Sequence, residues 1–206
     1  MSQIALPFDW PAPEQSDAFI VTDANRAAVE GIDRSSNWPV RAAILTGPRK
    51  SGRSLLGRIF AAKTGGTLID DGETHREAEL FHRWNLAQEE RRPLVIVAMS
   101  PPPLWKIGLS DLASRFSATP IFTIGEPDEV LMALLLEKLL GQRGLQVTPE
   151  VISYITARIE RSYLAVMRVV DALDTAALSQ HRGVTVKFAR LVLQQLHMAG
   201  ERDDQD

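Results

Sequence analysis

The sequence predicts an α/β domain built on a parallel sheet with helices on both faces, followed by a small all-helical domain. Three observations predict it. Short apolar runs alternate with segments of helical periodicity as far as residue 126, which is the pattern of right-handed β-α-β crossovers. A glycine-bracketed turn, Gly47-Pro48-Arg49-Lys50-Ser51-Gly52-Arg53-Ser54, joins the first such run to the helix after it. Beyond Pro127 the strands stop and only helical patterns remain.

Taken in order, residues 1–18 contain Pro7, Pro11 and Pro13 among polar residues and read as an extended segment, with residues 1–12 as a separate tail. Thr22 or Asp23 is placed to cap a helix over residues 24–31. Residues 40–46 (VRAAILT) form a buried strand, and Leu55, Leu56, Ile59 and Phe60 then recur at helical spacing. Gly65-Gly66 ends that helix, and residues 67–71 (TLIDD) form a second strand. Leu80, Phe81, Trp84 and Ala87 mark the apolar face of a helix over 75–90. Residues 93–98 and 120–124 supply the third and fourth strands. In the second domain, Asp128 caps a leucine-rich helix to about residue 140, with Gly141 and Gly144 as stop signals. Pro149 takes the first position of the next helix, residues 162–181 form a third, and Thr185 opens a fourth that runs to about residue 198. The boundaries are thus 13–126 for the core, 127–198 for the helical domain and 199–206 for a disordered tail.

Of the 206 residues, 45% are hydrophobic and 24% charged, the balance of a globular protein with room for one ordinary domain and a small second one. A net charge of −3 argues against a general affinity for nucleic acid, which needs a basic surface. No apolar run approaches the ~20 residues of a membrane helix, and the first residues lack the features of a secretory signal. A cytoplasmic protein with no membrane partner is expected. Without cysteine there is no disulfide or thiolate metal site.

The turn at 47–54 matches the phosphate-binding loop G-x-x-x-x-G-K-[ST], except that Arg53 stands where lysine is expected. Gly47 and Gly52 permit the tight backbone, amides and the positive helix end hold phosphate oxygens, and Leu55 continues the site into the helix. The Ser54 hydroxyl and the Asp70 carboxylate are candidate Mg²⁺ ligands, and Asp71 is a candidate to orient water. Arginine keeps the charge of lysine but is planar and forked, so nucleotide binding is expected to survive better than hydrolysis.

Further segments complete a pattern. Gly108-Leu109-Ser110-Asp111-Leu112-Ala113-Ser114-Arg115-Phe116 resembles the G-L-P-D-L-A-S-R-[LF] box of DnaA-related AAA+ proteins. Residues 145–152 and 158–173 resemble their helical lid, and residues 19–28 the segment that packs near adenine. Gln3-Ile4-Ala5-Leu6-Pro7-Phe8 is similar to the Q-x-x-L-P-F peptide that docks on the bacterial sliding clamp. Tail, AAA+ core and lid together resemble the Hda family of regulators of the initiator DnaA. The resemblance implies ADP or ATP with Mg²⁺ as ligand, with Phe19 and Arg161 in the nucleotide site. It implies clamp binding through Gln3, Leu6, Pro7 and Phe8, and DnaA as the regulated partner. Arg115 would be the finger reaching a neighbouring subunit's nucleotide, and the outcome would be negative regulation of replication initiation. DnaA continues into a helix-turn-helix domain where this sequence stops, so sequence-specific DNA recognition is not expected. A homo-oligomer is compatible with the family's placement of nucleotide at subunit boundaries.

The sequence also departs from the family pattern. Ser100 stands near the position of the polar γ-phosphate sensor, and Leu164 aligns with the lid arginine, for which Arg161 or Arg168 would have to substitute. The short connection before TLIDD leaves four core strands. Weak or absent intrinsic hydrolysis is therefore expected. A stand-alone AAA+ ATPase and a DnaA-related loader or scaffold are the competing readings.

Overall fold

A computed structural model describes residues 19–180 and 183–203. The tail residues Gln3, Leu6, Pro7 and Phe8, and residues 204–206, lie outside the described residues. The core contains α1 (Arg26–Asp33), β1 (Ala42–Thr46), α2 (Arg53–Thr64), β2 (Thr67–Ile69), α3 (Glu77–Glu89), β3 (Leu94–Val97), α4 (Ser110–Ser117) and β4 (Ile121–Thr123). The four strands are parallel in the order β2-β3-β1-β4, with Ala42 opposite Leu94 and Ile44 opposite Ile121.

The central strands are buried on both faces, which is why AAILT and LVIV are continuous apolar runs rather than alternating ones. Ala43, Leu45, Val95 and Val97 pack with Val29 and Ile32 of α1 and Leu56 and Phe60 of α2. Ala42, Ile44, Leu94 and Ile96 face the other way, onto Leu80 and Trp84 of α3 and Leu112 and Phe116 of α4. Helices thus cover both faces, as the sequence predicts.

Four helices follow: α5 (Glu129–Gln142), α6 (Pro149–Thr156), α7 (Tyr163–Gln180) and α8 (Val186–Asp203). Their core joins Leu136 and Leu140 of α5, Ile155 of α6, Val170 and Leu173 of α7 and Ala189 of α8. Asp128 caps α5 as its sequence position suggests, accepting from the Leu131 amide at 2.6 Å. Among the described residues no helix is long and apolar enough to cross a membrane.

Several boundaries differ from those expected. The residue before α1 is Asn25, not Thr22 or Asp23. Its side chain turns back to the preceding segment, accepting from the Thr22 amide at 2.9 Å and donating to the Ile20 carbonyl at 2.8 Å. The strand TLIDD stops at Ile69, because Asp71 takes a left-handed φ of 49° that no strand accommodates. Helix α5 runs through Gly141 to Gln142, and the stop is made by Gly144 with φ 74°. Helix α8 continues through residues 199–203, which the sequence assigns to a disordered tail. The one poor helix former there, Gly200, costs only about 1 kcal/mol against alanine and does not end the helix.

Candidate functional site

The loop after β1 lies at the carboxyl ends of the parallel strands, where open α/β sheets bind ligands. Gly47 has φ 151°, and a Cβ there would sit 2.8 Å from the Ile124 carbonyl oxygen. Lys50 (φ 65°) and Gly52 (φ 88°) are left-handed, and the Ser51 amide donates to the Pro48 carbonyl at 3.3 Å. Such successive turns aim amides at an anion. Arg49 and Lys50 are exposed. Ser51 is buried and its hydroxyl has no partner among the described residues. A ligand oxygen satisfies a group of this kind, whose isolation otherwise costs about 1–3 kcal/mol.

Two side chains link the loop to the neighbouring strands. The Ser54 hydroxyl, in the first turn of α2, donates to Asp70 Oδ1 at 2.8 Å, and the same oxygen accepts from the Asp71 amide at 3.1 Å. Among the described residues no group of three or more histidines and carboxylates forms a metal cluster. Mg²⁺ does not need one, because it keeps several waters and takes its remaining ligands from phosphate. The Ser54–Asp70 pair fits that cation. Arg53 extends away from the loop, and its Nη1 donates to the Ala98 carbonyl at the end of β3. The guanidinium that replaces lysine is therefore engaged with the sheet. Asp71 is exposed in its left-handed turn, and Glu73 two residues on accepts from the amides of Met99 and of Ser100, the latter at 3.1 Å.

A cavity of about 250 Å³ lies between this loop and the second domain. Lys50, Ser51, Gly52 and Leu55 form its floor, and Phe19, Ile20 and Asn25 one wall. The roof is Leu131, Leu135, Lys138, Leu139 and Gln142 of α5 with Tyr163 and Met167 of α7. An apolar slot of this size with a few polar groups suits a planar base, and phosphates would extend from it along the loop. Phe19 and Leu55 both line this cavity. Two more open grooves, between α6 and α8 and between α7 and α8, contain no loop residue.

Arg161 does not line the cavity. Its Nε donates to the Pro127 carbonyl at 2.7 Å, so the connection between the domains claims the side chain that the sequence assigns to nucleotide. Arg168 lies in the groove between α7 and α8 and does not replace it. Leu164 is one residue from Tyr163, about 100° around the helix, and is not in the lining either. Tyr163 instead joins the two domains: buried, its hydroxyl donates to the Gly125 carbonyl at 3.0 Å. Burial, with the nearby carboxylates of Glu126 and Asp128, pushes its phenol up to about 12.

Arg115 is exposed in the last turn of α4 and is not part of this chain's own cavity. Its guanidinium lies over the rings of Trp84 and Phe81. The box that carries it is anchored at its start, where Glu77 accepts from the amides of Gly108 and Leu109 at 2.9 and 2.6 Å.

Solved structures share this architecture. Domain III of DnaA from Thermotoga maritima superimposes with a TM-score of 0.72 at 16% identity, covering 86% of this chain and 94% of that one. AMPPCP-bound DnaA from Aquifex aeolicus gives 0.59 at 17%, covering 76% and 63%. A RuvB variant from Thermotoga maritima gives 0.60 at 14%, covering 90% and 73%. At these identities the likeness is one of fold. The second domain is more specific, because residues 129–193 match the family described as the Hda lid domain. The second domain thus matches the Hda lid family, and the chain as a whole shares the fold of DnaA domain III. Its helical domain is therefore the lid, and its loop is the P-loop of that fold.

Sequence reasoning misses several lid residues of the cavity. Lys138 and Gln142 bring polar atoms to the roof, and Met167 joins Tyr163 one helical turn away. The available signal is Lys138, a cation beside apolar residues at 131, 135 and 139, which share one face of α5.

Proposed function

We propose that this chain is a nucleotide-binding regulator of replication initiation, docked on the sliding clamp through its N-terminal peptide, that drives DnaA to hydrolyse its ATP. The observation that supports this best is the placement of Arg115. It is exposed outside its own nucleotide cavity, and no carboxylate among the described residues pairs with it. An arginine so placed is available to a neighbouring subunit, where a finger supplied in trans neutralises transition-state charge and is worth ~10³–10⁵ in rate in other nucleotide hydrolases. In the chain's own site, ADP or ATP with Mg²⁺ would lie in the cavity, with Ser54 and Asp70 on the metal and Gly47 to Gly52 on the phosphates. That nucleotide holds core and lid together, and its own turnover is slow or absent.

The test is a reconstituted assay of ATP hydrolysis by DnaA, with clamp loaded on DNA. The wild-type chain is expected to stimulate hydrolysis. Arg115→Ala should bind without stimulating, and Gln3→Ala or Leu6→Ala should lose clamp binding and stimulation together. Full stimulation by Arg115→Ala would refute the reading. The intact Ser54–Asp70 pair favours one other reading, a stand-alone ATPase. Phosphate release by the isolated chain at rates typical of AAA+ motors would establish that instead.

A further inference from the structure

The surroundings of Arg115 differ from those of an ordinary surface arginine. Its Cζ lies 5.0 Å from the Trp84 ring centroid and 5.9 Å from that of Phe81, both on α3. A cation–π contact with the rings claims none of the N–H donors of a guanidinium, whereas a salt bridge would occupy some of them. The platform is itself fixed. Trp84 is buried, and its indole Nε1 donates to the Thr119 hydroxyl at 3.0 Å. That hydroxyl donates in turn to the backbone carbonyl of Arg115 at 2.8 Å. One buried oxygen therefore joins the ring beneath the guanidinium to the backbone that carries it. Thr119, only 5% exposed, makes both bonds in a dry setting.

We infer that Trp84 and Thr119 are positioning residues that set the direction in which Arg115 is presented to an anionic group on a partner, namely the phosphate chain of a nucleotide bound by another subunit. The inference rests on the function proposed above. Neither residue reaches the partner; they act through Arg115. The chemical demand on them is strict, because a displacement of about 1 Å in a transition-state contact costs on the order of 100-fold in rate. A threonine bonded to the carbonyl four residues back is common at helix ends, so the shared hydroxyl has to be tested apart from its contribution to folding.

The experiment uses the full chain with ATP-bound DnaA and clamp loaded on DNA. It reads the maximal stimulated rate separately from the concentration of this chain that gives half of it. Thr119→Val keeps the shape and removes both bonds, Thr119→Ser restores the hydroxyl, and Trp84→Phe keeps a stacking ring without the N–H. Thr119→Val and Trp84→Phe are expected to lower the maximal rate about tenfold or more. Half-saturation should stay within about twofold of wild type, because docking is intact, and Thr119→Ser should stimulate like wild type. Should Thr119→Val fail to fold, Trp84→Phe carries the test alone, because it breaks the same bond to the Thr119 hydroxyl from the other side. Folded Thr119→Val and Trp84→Phe proteins that stimulate at wild-type maximal rate while Arg115→Ala does not would overturn the inference and leave the proposed function standing. Equal losses in Thr119→Ser and Thr119→Val would also overturn it. Wild-type stimulation by Arg115→Ala would remove the proposed function, and this inference with it.

Discussion

Replacing Gly52 with alanine isolates the phosphate loop. Gly52 precedes α2 with φ 88° and ψ 14°, a left-handed conformation that costs a residue bearing a Cβ about 1–2 kcal/mol. The new methyl would also stand 2.9 Å from Phe19 Cε2, well inside van der Waals contact, so the ring that walls the cavity has to move. For a chain of this length each kcal/mol shifts Tm by about 2–4 °C, so the free protein is expected to melt roughly 2–8 °C lower. ADP at a hundred times Kd stabilises the wild type by about 2.7 kcal/mol, or some 5–11 °C. A tenfold weaker site loses about 1.4 kcal/mol of that at the same ADP concentration. Thermal melts with and without ADP and Mg²⁺, backed by calorimetric titration, measure both quantities. Adding Phe19→Ala to Gly52→Ala relieves the contact but not the backbone strain, so the pair should recover only part of the affinity. An undiminished ADP shift in Gly52→Ala, or no shift in the wild type at millimolar ADP, would show that nucleotide does not use this loop.

Other expectations follow from the same geometry. Ser54→Ala removes one candidate Mg²⁺ ligand and the bond to Asp70, so the gain in ADP affinity on adding Mg²⁺ is expected to be much smaller than in the wild type, as titrations with metal and with chelator would show. Arg53→Ala leaves the buried Ala98 carbonyl without the guanidinium and should cost the nucleotide-free protein about 1 kcal/mol, read as a lower Tm. Tyr163 holds its proton more tightly when folded, at about 12, than in the unfolded chain at the ordinary value near 10. Its stabilisation is therefore complete below pH 10 and is lost as pH rises towards 12, by roughly 2–3 kcal/mol. Urea melts between pH 9 and 11.5 should show that decline in the wild type and a shallower one in Tyr163→Phe.

The core was legible because its signals are local. AAILT and LVIV are apolar without a period, as strands covered on both faces must be, and the glycines of the loop sit next to the strand and helix they connect. The Ser54–Asp70 pair was legible for a related reason, since the first turn of α2 and the residue after β2 are fixed by the loop and by the neighbouring parallel strand. The lid side of the site was not. Helix α5 is apolar nearly all round, so its sequence does not say whether Leu136 or Lys138 meets the loop about eighty residues earlier in the chain. Leu136 turned out to be lid core, and Lys138 roof. Arg161 illustrates a second limit: its residue type suits a phosphate, but a backbone carbonyl at 2.7 Å in the domain connection claims its Nε. Asn25 illustrates a third, because a side chain that bonds back to Ile20 and Thr22 cannot be told from a helix cap by position alone.

The domain connection also bears on what the bound nucleotide does. Tyr163 holds Gly125, Arg161 holds Pro127, and Asp128 accepts both from Ala24 at the approach to α1 and from Leu131 in α5. Each such bond contributes about 1 kcal/mol net, so a lid that swung through a hydrolysis cycle would have to break and remake several kcal/mol of contacts. A motor offsets that with phosphate contacts that differ between ATP and ADP. On the proposed reading, with Leu164 at the lid arginine position and Arg53 bonded to Ala98, the groups that would sense a γ-phosphate are weak. On the function proposed here that arrangement is coherent. Nucleotide in the cavity fixes the angle between core and lid. Arg115 stands with α3 and α4 on the face of the sheet opposite α1 and α2, and would act on a nucleotide held by another chain. Hydrolysis in the chain's own site would then be idle, and loss of that activity would cost the regulator nothing.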